Sequence, residues 1–261
     1  MARAAPAADP PLFATLAPEA QASGQPLYRG VMRALLAPIE AGRCAPGDPL
    51  PSETELAAAF GVSIGTVRRA VDDLVADHIL VRRQGRGTFV ASHNADRFLF
   101  QFFHVERADG RRENPQVDPL SFQRVKLDDE AAAALALRPG EPAIQIEHRL
   151  RLQGRAVVYD RLLLPAALFR GLTEKKLAER PSTLYHLYQS AFAITVVRAQ
   201  ERARAIAADR NVARILGVAL GTPLIQVRRT ALSFGDKPVE YRVSTIHTAL
   251  HDYVNLLSRP A

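Results

Sequence analysis

The sequence predicts an α+β protein in two parts: an N-terminal winged helix-turn-helix, then a larger domain built on an antiparallel sheet. Three observations predict it. Early in the chain, short helix-period stretches meet at a glycine and run into a short hairpin. After "ASHNADRF" (Ala91 to Phe98) the pattern changes to longer alternating runs broken by short helices. Those runs are paired around glycine-containing turns, so neighbouring strands should be antiparallel.

In the first part, "PLYRGVMRALLAPIEAG" (Pro26 to Gly42) places Leu27, Val31, Leu35 and Ile39 on one helical stripe. Pro38 falls inside it and should bend or end the helix early. In "APGDPLPSETELAAAFGVS" a Pro/Gly turn is followed by Ser52, with Glu55 three residues on. That pair is a capping box. The helix it opens should run to about Phe60 and stop at Gly61. Ser63 then caps a second helix that buries Val67, Val71 and Leu74. "ILVRR" and "GTFVA" are short strands, and Gln84 to Arg86 joins them as a hairpin.

In the second part, "PLSFQRVKL" alternates as a strand, and "DDEAAAALAL" is a helix opened by Asp128 and stopped by Pro139-Gly140. "PAIQIEHRLRLQGRAVVYDRLLLP" is a strand pair around Gln153-Gly154. "PSTLYHLYQSAF" is a helix capped at Ser182, "ITVVRAQERARAI" a strand, and "DRNVARILGV" a short helix. "PLIQVRRTALSFGDKPVEYRVSTIH" closes the domain as a hairpin turning at Gly235-Asp236.

Composition limits the function classes. With 261 residues, 48% apolar and 23% charged, the chain can bury a sizeable core. No apolar run is long enough to cross a membrane. The Ala- and Pro-rich residues 1–25 read as a disordered arm rather than a signal peptide. Cys44 is the sole cysteine, which excludes an intrachain disulfide and fits a cytoplasmic protein with an inert thiol. The net charge of +7 mildly favours a polyanionic partner.

The placement of the cations says more. An α-helix fits the major groove of B-DNA, and its N-terminal residues reach base edges. On the second helix these are Ser63, Ile64, Gly65 and Thr66, with Arg68 and Arg69 following within reach of phosphates. The hairpin tip Gln84-Gly85-Arg86-Gly87 is small enough to approach a minor groove, with Arg86 as the probe. The helix and hairpin would then straddle one stretch of duplex. The competing reading is a solvated face in which these arginines pair with Asp72, Asp73 and Asp77; for Arg69 the two stand level, since Asp72 and Asp73 lie at i+3 and i+4. Arg82 and Arg83 fall on opposite strand faces, so one of them would face DNA. "GRGTF" is not a dinucleotide loop, because it lacks the third glycine and enters a strand.

From Pro26 to Ala91 these stretches resemble the winged helix-turn-helix of the GntR family. The resemblance implies a bacterial transcription regulator that binds palindromic double-stranded operator DNA as a homodimer. Its DNA contacts match at Ser52, Thr66, Arg68, Gln84, Gly85 and Gly87. The family often has Arg where this chain has Thr54 and Ile64, and Thr or Met where it has Gly65. Ile64 cannot bond guanine but could meet a thymine methyl.

"RPGEPAIQIEHRLRLQGRAVVYDRLLLP", "STLYHLY" and "ILGVALGTPLIQVRRTALSFGDKPVEY" resemble the effector-binding UTRA domain of the HutC-type branch, whose fold is chorismate-lyase-like. The length excludes the branch with a large aminotransferase-like domain. The resemblance implies a domain order of arm (1–25), DNA-binding domain (26–91), linker (92–97) and effector-binding and dimerisation domain (98–257). It also implies a ligand site at Arg149, Arg151, Asp160, Thr183, Tyr185 and Glu240, with Ile246 where the family often has Tyr. Arg149 and Arg151 share a sheet face, which suits a carboxylate or phosphate. The alternative is that both pair with Asp160 across the hairpin.

Phe98, Phe100 and Phe102 share one face of "FLFQFFHV", with Leu99 and Phe103 on the other, as pocket lining, subunit contact or plain core. His247 and His251 have a spacing seen in metal sites, but no carboxylate-rich set accompanies them, so no metal or other cofactor is expected. No nucleophile–base pair is recognisable. The expectation is a repressor of a catabolic or transport operon, released by a small anionic metabolite, and not an enzyme.

Overall fold

The computed structural model describes Phe13 and residues 26–92, 102–180 and 182–255. The expected arm apart from Phe13, the linker apart from Ser92, and Phe98, Leu99 and Phe100 lie outside them. Internal contacts divide the chain into two units, Met1–Ser92 and His93–Ala261.

The first unit contains α1 (Leu27–Glu40), α2 (Glu53–Phe60), α3 (Ile64–Ala76), β1 (Leu80–Arg83) and β2 (Gly87–Val90). Val31 and Leu35 of α1 pack with Leu56 of α2 and with Val67, Val71 and Leu74 of α3 as a buried core. Full burial of each such side chain stabilises the fold by about 1.5–3 kcal/mol. Pro38 does not stop α1 at once. It lies in the last turn, where its missing N–H removes a single ladder bond, and the helix continues to Glu40. The Arg43 and Cys44 N–H groups then return to the Pro38 carbonyl at 2.8 and 3.1 Å.

The capping box at α2 is present: Glu55 N–H donates to Ser52 Oγ at 3.3 Å and Ser52 N–H to Glu55 Oε2 at 2.8 Å. Gly61 ends α2 in the left-handed region (φ 64°), where a side chain would be strained. Thr66 N–H donates to Ser63 Oγ at 3.1 Å and so opens α3. β1 and β2 pair antiparallel from Leu80↔Val90 to Arg83↔Gly87.

The second unit is a six-stranded sheet of β4 (Gln116–Lys126), β5 (Pro142–Leu152), β6 (Arg155–Pro165), β7 (Arg198–Ala207), β8 (Pro223–Leu232) and β9 (Pro238–Ile246). The order is β4-β5-β6-β9-β8-β7 and every neighbouring pair is antiparallel. A two-stranded ribbon of β3 (Val105–Arg107) and β10 (His251–Tyr253) pairs outside the six-stranded ladder and packs on it through Val105 and Tyr253. Ile144, Ile146, Leu162 and Leu164 of one sheet face pack with α5 (Glu174–Ala178) and α6 (Leu184–Phe192) through Leu177, Leu184 and Tyr188. α4 (Asp129–Ala134) covers the opposite face through Ala131 and Ala132, against Ala143, Leu163 and Tyr241. α7 (Arg210–Leu216) packs against Tyr159 of β6. Phe102 joins the α6 cluster, 4.8 Å from the Tyr185 ring, while Phe103 packs with Leu150 and Val158.

Three expectations need correcting here. Thr183, not Ser182, caps α6, because its hydroxyl accepts from His186 N–H at 3.2 Å. α4 ends at Ala134, well before Pro139-Gly140, which instead forms the turn into β5. The strand expected from Ile194 begins at Arg198. α5 was not anticipated, and its residues have no clear apolar period.

Candidate functional site

The start of α3 presents Ser63, Ile64 and Gly65 to solvent, with Thr66 half-buried. Ser63 Oγ and Thr66 Oγ1 lie 2.9 Å apart, so the cap fixes both hydroxyls. Arg68 points outward at 61% side-chain exposure, and its Nε lies 2.9 Å from Glu53 Oε2. Arg82 donates to the other Glu53 oxygen at 3.0 Å and also pairs with Asp72. Arg69 lies over the Tyr28 ring at 4.2 Å, and Arg83 over Phe89 at 4.7 Å. Glu53 was missed in the sequence. It holds Arg68 of α3 and Arg82 of β1 together, and such a partner 15 and 29 residues away leaves no local signal.

Exposed pairs of this kind contribute about 0–1 kcal/mol, so a phosphate can replace the carboxylate at little cost. At the hairpin tip, Gln84, Gly85, Arg86 and Gly87 are all exposed. Gly85 and Gly87 have φ of 68° and 102°, which keeps the tip narrow and its backbone open to approach. Thr54 is exposed on α2, while Ser52 is occupied by the capping box.

In the second unit, alternation along β5 decides which residues face inward. Ile144, Ile146, His148, Leu150 and Leu152 form the buried set. Arg149 and Arg151 lie on the other face. Both donate to Asp118 of β4, at 2.9 and 2.8 Å, and not to Asp160. Asp160 instead faces inward beside His148.

There it joins a buried network. Arg242 donates Nε and Nη2 to the two Glu240 oxygens (2.9 and 3.1 Å) and Nη1 to Asp160 at 3.3 Å. Tyr185 and Tyr188 donate to Glu240 at 3.2 and 2.7 Å, and Ser244 to Asp160 at 2.5 Å. Burial and the Glu240 charge raise the pKa of both tyrosines, so they stay protonated donors. Burial opposes the Arg242 charge, but Glu240, Tyr185 and Asp160 more than offset it.

Above this network is a cavity of about 320 Å³, a size that suits a small metabolite. Its sheet side is Val117, His148, Leu150, Asp160 and Arg242. Asn114 and Pro115 form another wall, and Arg180, Ser182, Thr183 and Leu184 bring the entrance of α6 to it. Of the expected effector residues, Asp160 and Thr183 line the cavity, Tyr185 and Glu240 lie beneath it, and Arg149 and Arg151 do not reach it.

His148 is 2% exposed, and its ring has no hydrogen-bond partner among the described residues. Burial, with Arg180 and Arg242 nearby, pushes its pKa down to about 3, so at neutral pH it is an uncharged imidazole. Arg180 donates to the Leu177 carbonyl at 2.5 Å, while its buried Nε has no partner. Burial lowers its pKa as well.

His247 and His251 line a separate cavity of about 410 Å³ with Arg155, Leu216 and Val218. His251 Nε2 is engaged with Gln153 Oε1 at 3.2 Å. Among the described residues, no group of three His, Cys, Asp or Glu side chains is placed to hold a metal. No described helix is long and apolar enough to cross a membrane.

Comparison with known proteins gives this geometry its context. Residues 27–90 match the bacterial regulatory proteins of the gntR family, and residues 110–252 match the UTRA domain. The chain belongs to the GntR family, in the branch that carries a UTRA domain. It is 29% identical to the HTH-type transcriptional repressor NagR of Bacillus subtilis, over 90% of this chain and 96% of that protein. It is also 29% identical to the histidine utilization repressor of Pseudomonas putida, over 88% of this chain and 91% of that one. The ligand-binding domain of a GntR-family regulator from Bordetella bronchiseptica superposes with a TM-score of 0.57 at 35% identity, covering 61% of this chain and 99% of that domain. This GntR-family chain is therefore a ligand-responsive, DNA-binding transcriptional regulator and not an enzyme.

Proposed function

We propose that the chain is a homodimeric repressor that leaves its operator when a small anionic metabolite fills the cavity bounded by His148, Arg180 and Arg242. The observation that carries this is the cavity itself: a partly buried guanidinium with an unpartnered Nε and a buried neutral imidazole face the same space. Relatives that match along most of their length are named as repressors, which favours release over activation.

On the DNA side, Ile64, Gly65 and Thr66 would meet base edges. Arg68 would exchange Glu53 for a phosphate, and Gln84 to Gly87 would enter the minor groove. Ser52, Thr54, Ser63 and Arg69 would support the backbone contacts. Two such units read a palindrome when their α3 helices lie a helical turn apart. Release requires the metabolite to favour a dimer arrangement with a different spacing.

The test is fluorescence anisotropy on the DNA upstream of the chain's own gene, with excess unrelated DNA as competitor and at two salt concentrations. Competitor-resistant binding that Arg68→Ala weakens, with a salt slope lower by about one, supports the reading. Binding that unrelated DNA removes refutes it for that operator. Release by a member of a catabolite panel, lost in Arg180→Gln, supports the cavity as the sensor.

A further inference from the structure

Resting on that reading, we propose that the effector is a monocarboxylate, its carboxylate held by Arg180, and not a phosphate ester.

Pairing separates the two cations at the cavity. Arg242 is committed, with Glu240 and Asp160 taking its Nε, Nη1 and Nη2 groups. Arg180 has no carboxylate within ion-pair distance among the described residues, and only the Leu177 carbonyl takes a bond from it. Arg242 is shared by two carboxylates, so its network keeps one negative charge in excess; Arg180 is the one lining guanidinium that no described carboxylate bonds, and it can hold an anion of single charge with least repulsion. A carboxylate matches that capacity and the fork geometry of the group.

A phosphate monoester carries about 1.5 to 2 negative charges at neutral pH. Its extra charge would sit unpaired in a partly buried space, near the carboxylate of Asp160, which is 3% exposed. An uncompensated charge in such a place is strongly disfavoured.

His148 adds no second cation. Held neutral by burial and by the two arginines, it can give or accept one hydrogen bond without changing the charge balance. The nine-residue helix α6 begins beside Arg180, and its first residues line the same space, so its positive end adds to the attraction for an anion without distinguishing one class from another. The rest of the wall is mixed, with Val117, Leu150 and Leu184 beside Asn114, Ser182 and Thr183. That surface suits a small body with a hydrocarbon portion and a few polar groups.

The experiment compares matched anions on the full-length chain. The carboxylates are acetate, benzoate and 3-phenylpropanoate; the phosphates are methyl, phenyl and 2-phenylethyl phosphate; 2-phenylethanol is the neutral control. The readout is the Arg180 Nε–H resonance in nitrogen–proton correlation spectra, identified by its loss in Arg180→Gln, with operator release measured in parallel. The expected result is that the larger carboxylates move this resonance and bind at least about tenfold more tightly than the matched phosphates, a difference of about 1.4 kcal/mol. Arg180→Gln should abolish their binding, and the alcohol should bind more weakly than the carboxylate. Equal or tighter binding of the phosphates through Arg180 overturns the monocarboxylate assignment and leaves the sensor reading intact. Carboxylate binding that survives Arg180→Gln overturns the assigned anchor. If no anion moves the resonance or releases DNA at tens of millimolar, both the assignment and the cavity as sensor fall.

Discussion

Arg242→Met isolates the contribution of the buried charge network to stability. Arg242 is 5% exposed, and its two carboxylate partners, Glu240 and Asp160, are 0% and 3% exposed. Methionine fills much of the same volume, so the loss comes chiefly from the two carboxylates left without a cation. Removing one partner of a buried ion pair costs about 3–5 kcal/mol. Hydrogen bonds from Tyr185 and Tyr188 to Glu240, and from Ser244 to Asp160, remain in place. They bring the expected loss to the low end, about 3 kcal/mol. A unit of this size shifts by about 2–4 °C per kcal/mol, so its melting temperature should fall by about 6–12 °C. The chain contains no Trp, so urea unfolding is best followed by far-UV circular dichroism, with calorimetry for the melting temperature. Adding Glu240→Gln removes one orphaned charge and should return roughly half of the loss. The reasoning is refuted if Arg242→Met lies within about 1 kcal/mol of the parent, or if the double variant is no more stable than the single one.

Two further outcomes are expected. The folded pKa of His148, about 3, lies below its ordinary 6.5, so the unfolded chain takes up a proton that the folded one resists. The stability this contributes is present above pH 6.5 and drains as pH falls toward 3. The parent should therefore lose more than His148→Leu in that window, by up to about 1.4 kcal/mol per pH unit, and parallel stability curves from urea titrations would refute it. Ile64→Ala should weaken operator binding by about 1 kcal/mol. Replacing thymine by deoxyuracil at the step it touches should reproduce that loss in the parent and have no effect in the variant, whereas equal losses in both exclude a methyl contact.

Short-range chemistry was the most legible part of the sequence. Ser52 with Glu55, Gly61, Ser63 and the Gly235-Asp236 turn each need partners only a few residues away, and each forms as read. The DNA-binding unit consists largely of such signals. The cavity at the start of α6 does not. Strand alternation puts Arg149 and Arg151 on one face, but two arginines on a face do not by themselves say which face is inward. Ile144, Ile146, Leu150 and Leu152 stand in register with His148, so the apolar residues already assign the inward face to the histidine. β9 carries no comparable signal, because helices cover both sides of the sheet and residues of either parity are buried there. Arg180 sits in a stretch without periodicity, and only the fold brings it to the cavity.

The same kind of bond has opposite meanings in the two units, and solvent makes the difference. Arg68 and Glu53 form their pair in water, where it contributes little and where a phosphate oxygen is an equal partner. Arg242 and Glu240 form theirs with both groups buried, so neither can leave without exposing an uncompensated charge to an apolar interior. The first pair can be exchanged and the second cannot. Arg180 fits neither description: it is partly desolvated yet has no carboxylate partner among the described residues, so it bears a cost of burial without the return. A structural network would have given it a counter-charge. A guanidinium held in that condition at the wall of a cavity gains most when an anion arrives, and that gain is available to favour one arrangement of the protein over another.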